Sequence, residues 1–321
     1  MSRPYSAELG ATQEQYWQRW SGLRDPHVRA LAWLLTSPPL LDASLSPLLA
    51  QPADLFAGAN PPDDYLYRLD TDPSRLHDLL AASPGHRLGY YAELLFYQYL
   101  LDHSDWCRRG IQMRDEAGRT LGEFDFLLQR DGRIEHWELA TKFYLWASPG
   151  RSEAQPGLNH FLGPNLNDRF GDKTAKMLES QLRLSQYPEY LQLKLPVVER
   201  TFAWMRGWLF YPPELANSLP QVEGVANQHG KGWILTISEL AARFAGSGRI
   251  LPRLEWLAPV VCAEHELMPE HTLLAALNAH FQQNAAPALL AQMEVAGGSA
   301  YETARYMIVS DDWRDRAARL I

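Results

Sequence analysis

Asp131-Gly132 stands between two apolar-rich segments in the run LGEFDFLLQRDGRIEHWELATKFYL, residues 121–145, and this dipeptide most narrows what the chain can fold into. Asp-Gly tolerates the positive φ angles of a tight type I′ turn, so a two-residue β-hairpin is expected. The short loop fixes a register in which Arg130 faces Arg133, Asp125 lies across from Glu138, and Glu123 lies across from Ala140. Alternation then puts Glu123, Asp125, His136, Glu138, Ala140, Lys142 and Tyr144 on one face and Phe124, Phe126, Trp137, Leu139, Thr141 and Phe143 on the other. One face reads as core and the other as ionisable.

Two carboxylates directly opposed on neighbouring strands repel. They are either an exposed, solvated hairpin face or a pair whose repulsion something offsets, and a divalent cation is the simplest candidate. The aromatic opposite face and the apolar run Phe126, Leu127, Leu128 point to a strand pair inside a larger sheet, where unpaired acids are costly.

Gly122-Glu123-Phe124-Asp125, twelve intervening residues, and then Glu138-Leu139-Ala140-Thr141-Lys142 resemble the active-site hairpin of the PD-(D/E)xK nuclease-like superfamily. The wider pattern has Leu88-Gly89-Tyr90-Tyr91-Ala92-Glu93 before the hairpin, with Gly163-Pro164-Asn165, Asp172-Lys173 and Gln181-Leu182 after it. It resembles an uncharacterised bacterial protein family assigned to that superfamily. The superfamily likeness covers about residues 84–212, and the family likeness covers most of the chain. An αβββαβ restriction-endonuclease-like core of α/β class is what the resemblance implies. It also implies Mg²⁺ or Mn²⁺ held by Asp125 and Glu138 with Glu93 assisting from the preceding helix, and nucleic acid as the partner.

The chain has 321 residues, 46% hydrophobic and 21% charged, which suits a soluble globular protein with ample core. Its N-terminal stretch has no apolar h-region and no window is apolar enough for a membrane span, so a cytoplasmic protein with no membrane partner is expected. Cys107 and Cys262 are the only cysteines, too few for a disulfide framework or a cysteine-based zinc motif. A formal charge of −8 argues against strong nonspecific attraction to phosphate backbones, so nucleic-acid contact would need a local patch such as Arg108, Arg109, Lys173 and Lys176.

Taken in order, the pattern predicts helix from Thr12 to about Leu35, broken near Asp25-Pro26, and loop through the Pro- and Asp-rich residues 37–80. Residues 1–80 form a helical N-terminal segment on this reading, 81–215 the nuclease-like core, and 216–321 an α+β C-terminal extension. Within the core, Ser83-Pro84-Gly85 opens a helix to about Asp102, residues 106–114 form a strand, and the hairpin follows. A Ser-, Pro- and Gly-rich flap runs to Gly163-Pro164-Asn165, a helix spans about 167–185, and a buried strand runs from Val197 to Tyr211. On that helix Lys173 would meet phosphate, and Gln181 would orient substrate or water. Farther on, strands are expected at 232–237 and 305–309, a helix capped by Ser238 to Phe244, and mostly helix from Thr272 to Met293.

His265-Glu266-Leu267-Met268-Pro269-Glu270-His271 fails as a zinc-protease motif, because Pro269 stands where the second histidine is needed. The leading expectation is a metal-dependent phosphodiesterase, and the alternative is a nuclease-like binding or regulatory module without turnover. The lysine separates them. The superfamily motif places it two residues after the glutamate, but Ala140 stands there and Lys142 comes two later. From Glu138 to Lys142 is about 13 Å of strand, roughly half of which a lysine arm recovers. A β-bulge would close the gap, or Lys173 would substitute.

Overall fold

The computed structural model describes residues 10–56, 62–83, 85, 87–147, 156–284 and 286–321. Pro61, Pro84 and residues 148–155 of the expected flap lie outside the described residues. The strands are β1 (Trp106–Arg114), β2 (Thr120–Arg130), β3 (Arg133–Trp146), β4 (Phe161–Leu162), β5 (Arg200–Tyr211) and β6 (Gly230–Thr236), followed by β7 (Ser247–Leu251), β8 (Val261–Ala263), β9 (Met268–Pro269), β10 (Ala288–Ala296) and β11 (Ser299–Val309). The fold is mixed α/β, and the chain divides into two compact units. Leu23–Thr141 with Asp172–Arg206 makes one, the hairpin unit, while Met1–Gly22, Lys142–Gly171 and Gly207–Ile321 make the other, the flanking unit.

In the hairpin unit the strand order is β1-β2-β3-β5, with β1 antiparallel to β2 and β2 antiparallel to β3. The element order is a helix (Leu88–Asp102), three strands, a helix (Phe170–Glu179) and a strand, with β4 between. Asp131 and Gly132 take φ of 51° and 74°, as a type I′ turn requires. Arg130 pairs with Arg133, and the pairing continues to Phe126↔Trp137.

The Leu88–Asp102 helix buries Leu88, Tyr91, Ala92, Leu94, Leu95, Phe96, Gln98, Tyr99 and Leu100. Phe96 lies against Phe126, Trp137 and Trp204 at ring separations of 5.6, 6.2 and 6.4 Å, which seats the helix on the sheet. Beside it runs the Pro26–Thr36 helix, entered through Asp25, whose carboxylate accepts the His27 and Val28 N–H groups at 2.9 and 3.0 Å while Pro26 fills the first turn. The break expected at Asp25-Pro26 is therefore a helix start. The expected loop over 37–80 instead contains helices at Pro52–Phe56, Asp63–Thr71 and Ser74–Ala82. Their Pro residues stand at or just before helix starts, where a missing N–H costs nothing.

Two hairpin expectations are corrected. β3 is buried on both faces: His136 and Glu138 are fully buried, and Ala140 and Tyr144 nearly so. The face taken as ionisable is interior. The strict alternation also fails at Asp125. Phe124 clusters with Met113, Leu127, Leu184 and Tyr190 and lies 4.7 Å from the His136 ring, whereas Phe126 packs on Phe96. The parity change falls where Gly110, at φ 64°, stands across from Asp125, between the pairs Arg109↔Phe126 and Ile111↔Phe124. A left-handed residue there is open to glycine at little cost.

In the flanking unit, which includes the Gly207–Tyr211 end of β5, β6 is parallel to that end and to β11, and the order continues β11-β10-β7-β9 with antiparallel pairing, forming a large mixed sheet. The stretch from Thr272 to Met293 is helical only within Glu270–Gln283. Residues Ala288–Ala296 form β10, held between β11 and β7, so burial in the sheet overrides the local helical preference of its alanines and leucines. The helix expected from Ser238 is Ile237–Arg243, capped by Thr236 and Glu239 in a capping box. Ser238 binds Asp311 instead. Glu302 and Arg305 form a fully buried ion pair with contacts of 2.6 and 2.9 Å. Arg305 also donates to the Trp256 and Ala258 carbonyls at 2.8 and 3.0 Å and stacks 3.7 Å from the Trp208 ring centroid. Both thiols are free.

Candidate acidic site at the hairpin fork

β2 and β3 stop pairing just before Asp125 and Glu138, and the two carboxylates take over the backbone groups the ladder gives up. The Asp125 N–H donates to Glu138 Oε1 at 3.2 Å, and the Leu139 N–H donates to Asp125 Oδ2 at 2.9 Å. The acids therefore lie in the crotch of a fork rather than as an opposed pair in a continuous ladder. Glu123 is paired with Gln112 on β1, and its expected partnership with Ala140 does not form.

Glu138 is the most constrained of the acids. Besides the Asp125 N–H, it accepts from His136 Nε2 at 2.7 Å and from Gln181 Nε2 at 3.0 Å. Among the described residues His136 Nδ1 is buried without a partner, so the neutral imidazole is assigned as the Nε2–H tautomer donating into the carboxylate. Burial holds His136 far down, to about 3. The same burial, together with the neighbouring acids, raises Glu138 to about 8. Asp125 is likewise raised to about 8, by desolvation first and then by Glu138, although the Leu139 N–H pulls the other way.

Glu93 joins them from the Leu88–Asp102 helix. Half-buried, it is raised to about 7 by desolvation and by Asp125, against the lowering effect of Arg109. Among the described residues it makes no hydrogen bond or ion pair. The surroundings of these three carboxyls thus disfavour their ionised forms.

Of the residues singled out in the sequence, the structure couples Glu93, Asp125 and Glu138 and brings Gln181 to Glu138. Gln181 does not share a helix with Lys173, because the Phe170–Glu179 helix ends first and Gln181 opens a 3-10 segment, Gln181–Gln186. No hydrogen bond among the described residues joins Lys173 to the acids; it is half-buried on the Phe170–Glu179 helix. Lys142 follows Glu138 on β3 in the stretch grouped with the flanking unit. Sequence reasoning assigned no role to His136. Its signal was the two-residue spacing to Glu138, which puts both side chains on one side of a regular strand.

For a hard divalent cation the donor chemistry fits: carboxylate oxygens, one of them without a partner, in surroundings that disfavour their shared charge. No three His, Cys, Asp or Glu side chains among the described residues stand as a ready coordination shell. Magnesium makes modest demands here, since it usually keeps several waters and takes only one or two carboxylates plus substrate oxygens.

A family model described as Domain of unknown function (DUF1853) matches residues 29–309. The chain belongs to this family. No curated protein and no solved structure matches it. No helix among the described residues is long and apolar enough to cross a membrane.

Proposed function

We propose that this DUF1853 protein is a metal-dependent phosphodiesterase acting on nucleic acid in the cytoplasm, with the hairpin unit serving as a PD-(D/E)xK-type core. The supporting observation is the pair Asp125 and Glu138, buried and hydrogen-bonded across the fork, with Glu93 on the neighbouring helix near enough to raise Glu138 and be raised by Asp125; burial is the largest cause of the upward shift in all three. The succession of helix, three strands, helix and strand around it agrees with that reading.

Asp125 and Glu138 would hold Mg²⁺ or Mn²⁺, with Glu93 as the third carboxylate. When bound, the ion lowers the pKa of a coordinated water and offsets charge developing on phosphate. The chain's own contribution is positional. His136 and Gln181 fix the Glu138 carboxylate from two directions, and the Leu139 N–H fixes Asp125. Glu93, raised to about 7 and without a hydrogen bond among the described residues, is the carboxyl best placed to take up or release a proton near neutrality.

One observation favours a binding module without turnover. Ala140, only 4% exposed, occupies the strand position where the motif lysine is expected. Purified protein incubated with single- and double-stranded DNA and RNA, with Mg²⁺, Mn²⁺ or chelator, separates the readings. Cleavage that needs metal and disappears in Asp125→Ala supports the enzyme. Cleavage surviving that substitution, or none under any condition, sinks it.

A further inference from the structure

The motif lysine is missing, yet a cation stands on the helix side of the fork. Arg109 lies on β1, paired with Phe126, the residue next to Asp125. Its guanidinium carbon is 5.0 Å from the Tyr90 ring centroid and 5.5 Å from that of Tyr97, and Nη2 donates to the Tyr90 hydroxyl at 2.9 Å. Tyr90 and Tyr97 stand three residues before and four residues after Glu93 on one helix, spacings that return to the same face. The two rings therefore hold the guanidinium over the turns that carry Glu93.

Arg109 is half-buried, and that single hydrogen bond is the only one its guanidinium makes among the described residues. No carboxylate there lies close enough to pair with it. An arginine has five N–H donors in a planar fork, so most of this fork stays open. A stacked, oriented guanidinium with spare donors, beside carboxyls that would hold a cation, suits an oxyanion arriving with that cation.

We infer that Arg109 is the phosphate-contacting cation of this site, held by Tyr90 and Tyr97 so that its open donors bind a phosphodiester of a nucleic-acid strand. This rests on the phosphodiesterase reading and goes beyond it by naming the group that meets the substrate. Arg109 would bind the oxyanion directly, taking the place that Ala140 leaves empty of charge.

The test separates substrate binding from metal binding and from turnover. Binding of a fluorescein-labelled single-stranded DNA oligonucleotide is followed by anisotropy, with Ca²⁺ and with chelator, for wild type, Arg109→Ala, Arg109→Lys and Tyr90→Phe. Mn²⁺ affinity is measured on the same proteins by calorimetry. Arg109→Ala is expected to lose about tenfold or more in oligonucleotide affinity, the size of a lost charge-assisted contact. Its Mn²⁺ affinity should be no weaker, because a positive charge has left the neighbourhood of the carboxylates. Arg109→Lys should lose severalfold, since it keeps charge without the fork, and Tyr90→Phe should lose less. These milder variants carry the test if Arg109→Ala fails to fold. Unchanged oligonucleotide affinity in Arg109→Ala and Arg109→Lys overturns the inference, as does no binding by wild type or a parallel fall in Mn²⁺ affinity. Arg109-dependent binding without any metal-dependent cleavage would sink the phosphodiesterase reading and leave this contact standing.

Discussion

Replacing Asp125 by asparagine should stabilise the metal-free protein, and the gain should depend on pH in a way fixed by the fork. In the folded protein the Asp125 carboxyl is raised from its ordinary 3.8 to about 8, chiefly by burial and by Glu138. A raised carboxyl is a cost to folding. Below 3.8 both states hold the proton and the cost is absent; it grows as pH rises, because the unfolded chain ionises first, and it is complete above about 8. At pH 7 the gap of about three pH units corresponds to ~4 kcal/mol at ~1.4 kcal/mol per unit. Asparagine carries no such cost, and its side-chain oxygen can still accept the Leu139 N–H now bound at 2.9 Å. Its amide can donate towards Glu138, whose Oε1 already accepts the Asp125 N–H.

Urea unfolding of wild type and Asp125→Asn at pH 4, 7 and 9, with chelator, measures this directly. The variant should gain on the order of 4 kcal/mol at pH 7, somewhat more at pH 9 and close to nothing at pH 4. Millimolar Mg²⁺ or Mn²⁺ should stabilise wild type by mass action, about 2.7 kcal/mol at a hundred times Kd, and should leave the variant unmoved. The two effects belong together. A variant destabilised equally at every pH while the metal response survives would mean that Asp125 is a structural partner, and the metal reading would go with it.

Other expectations follow from the same geometry. Because Asp125 and Glu138 are raised to about 8 and Glu93 to about 7, metal binding must displace protons, so Mn²⁺ affinity by calorimetry should climb between pH 6 and 8 and level off above; a flat profile would contradict it. His136→Ala removes the 2.7 Å donor to Glu138 and should weaken Mn²⁺ binding about tenfold, with partial recovery in His136→Gln, which keeps an N–H donor. Equal loss in both variants would reduce His136 to packing. In the flanking unit, Glu302→Ala should cost about 3–5 kcal/mol by leaving Arg305 charged and buried, whereas the joint change Glu302→Leu with Arg305→Met should cost less than either single change in chemical denaturation.

The sequence by itself determined the local structure of the hairpin. Asp131-Gly132 demands positive φ at two successive residues, and only one tight turn uses that geometry, so the pairing from Arg130↔Arg133 to Phe126↔Trp137 follows from two residues. Asp25-Pro26 likewise marks a helix start on its own, through one capping carboxylate and one fixed φ. Asp125 and Glu138 were legible as candidates by type and register, and Glu93 only through the family resemblance. Tertiary structure decided what those carboxyls experience. Nothing local says that β3 is buried on both faces, that the ladder opens at Asp125, or that Gly110 across from it turns left-handed, since each depends on what packs against the strand. The same holds for β10, where alanine and leucine favour helix until two neighbouring strands claim their backbone groups. Arg109 was legible in the sequence only as one member of a basic patch with Arg108, Lys173 and Lys176. Its position beside Glu93 needs a strand and a helix to meet, and periodicity within either element carries no information about the other.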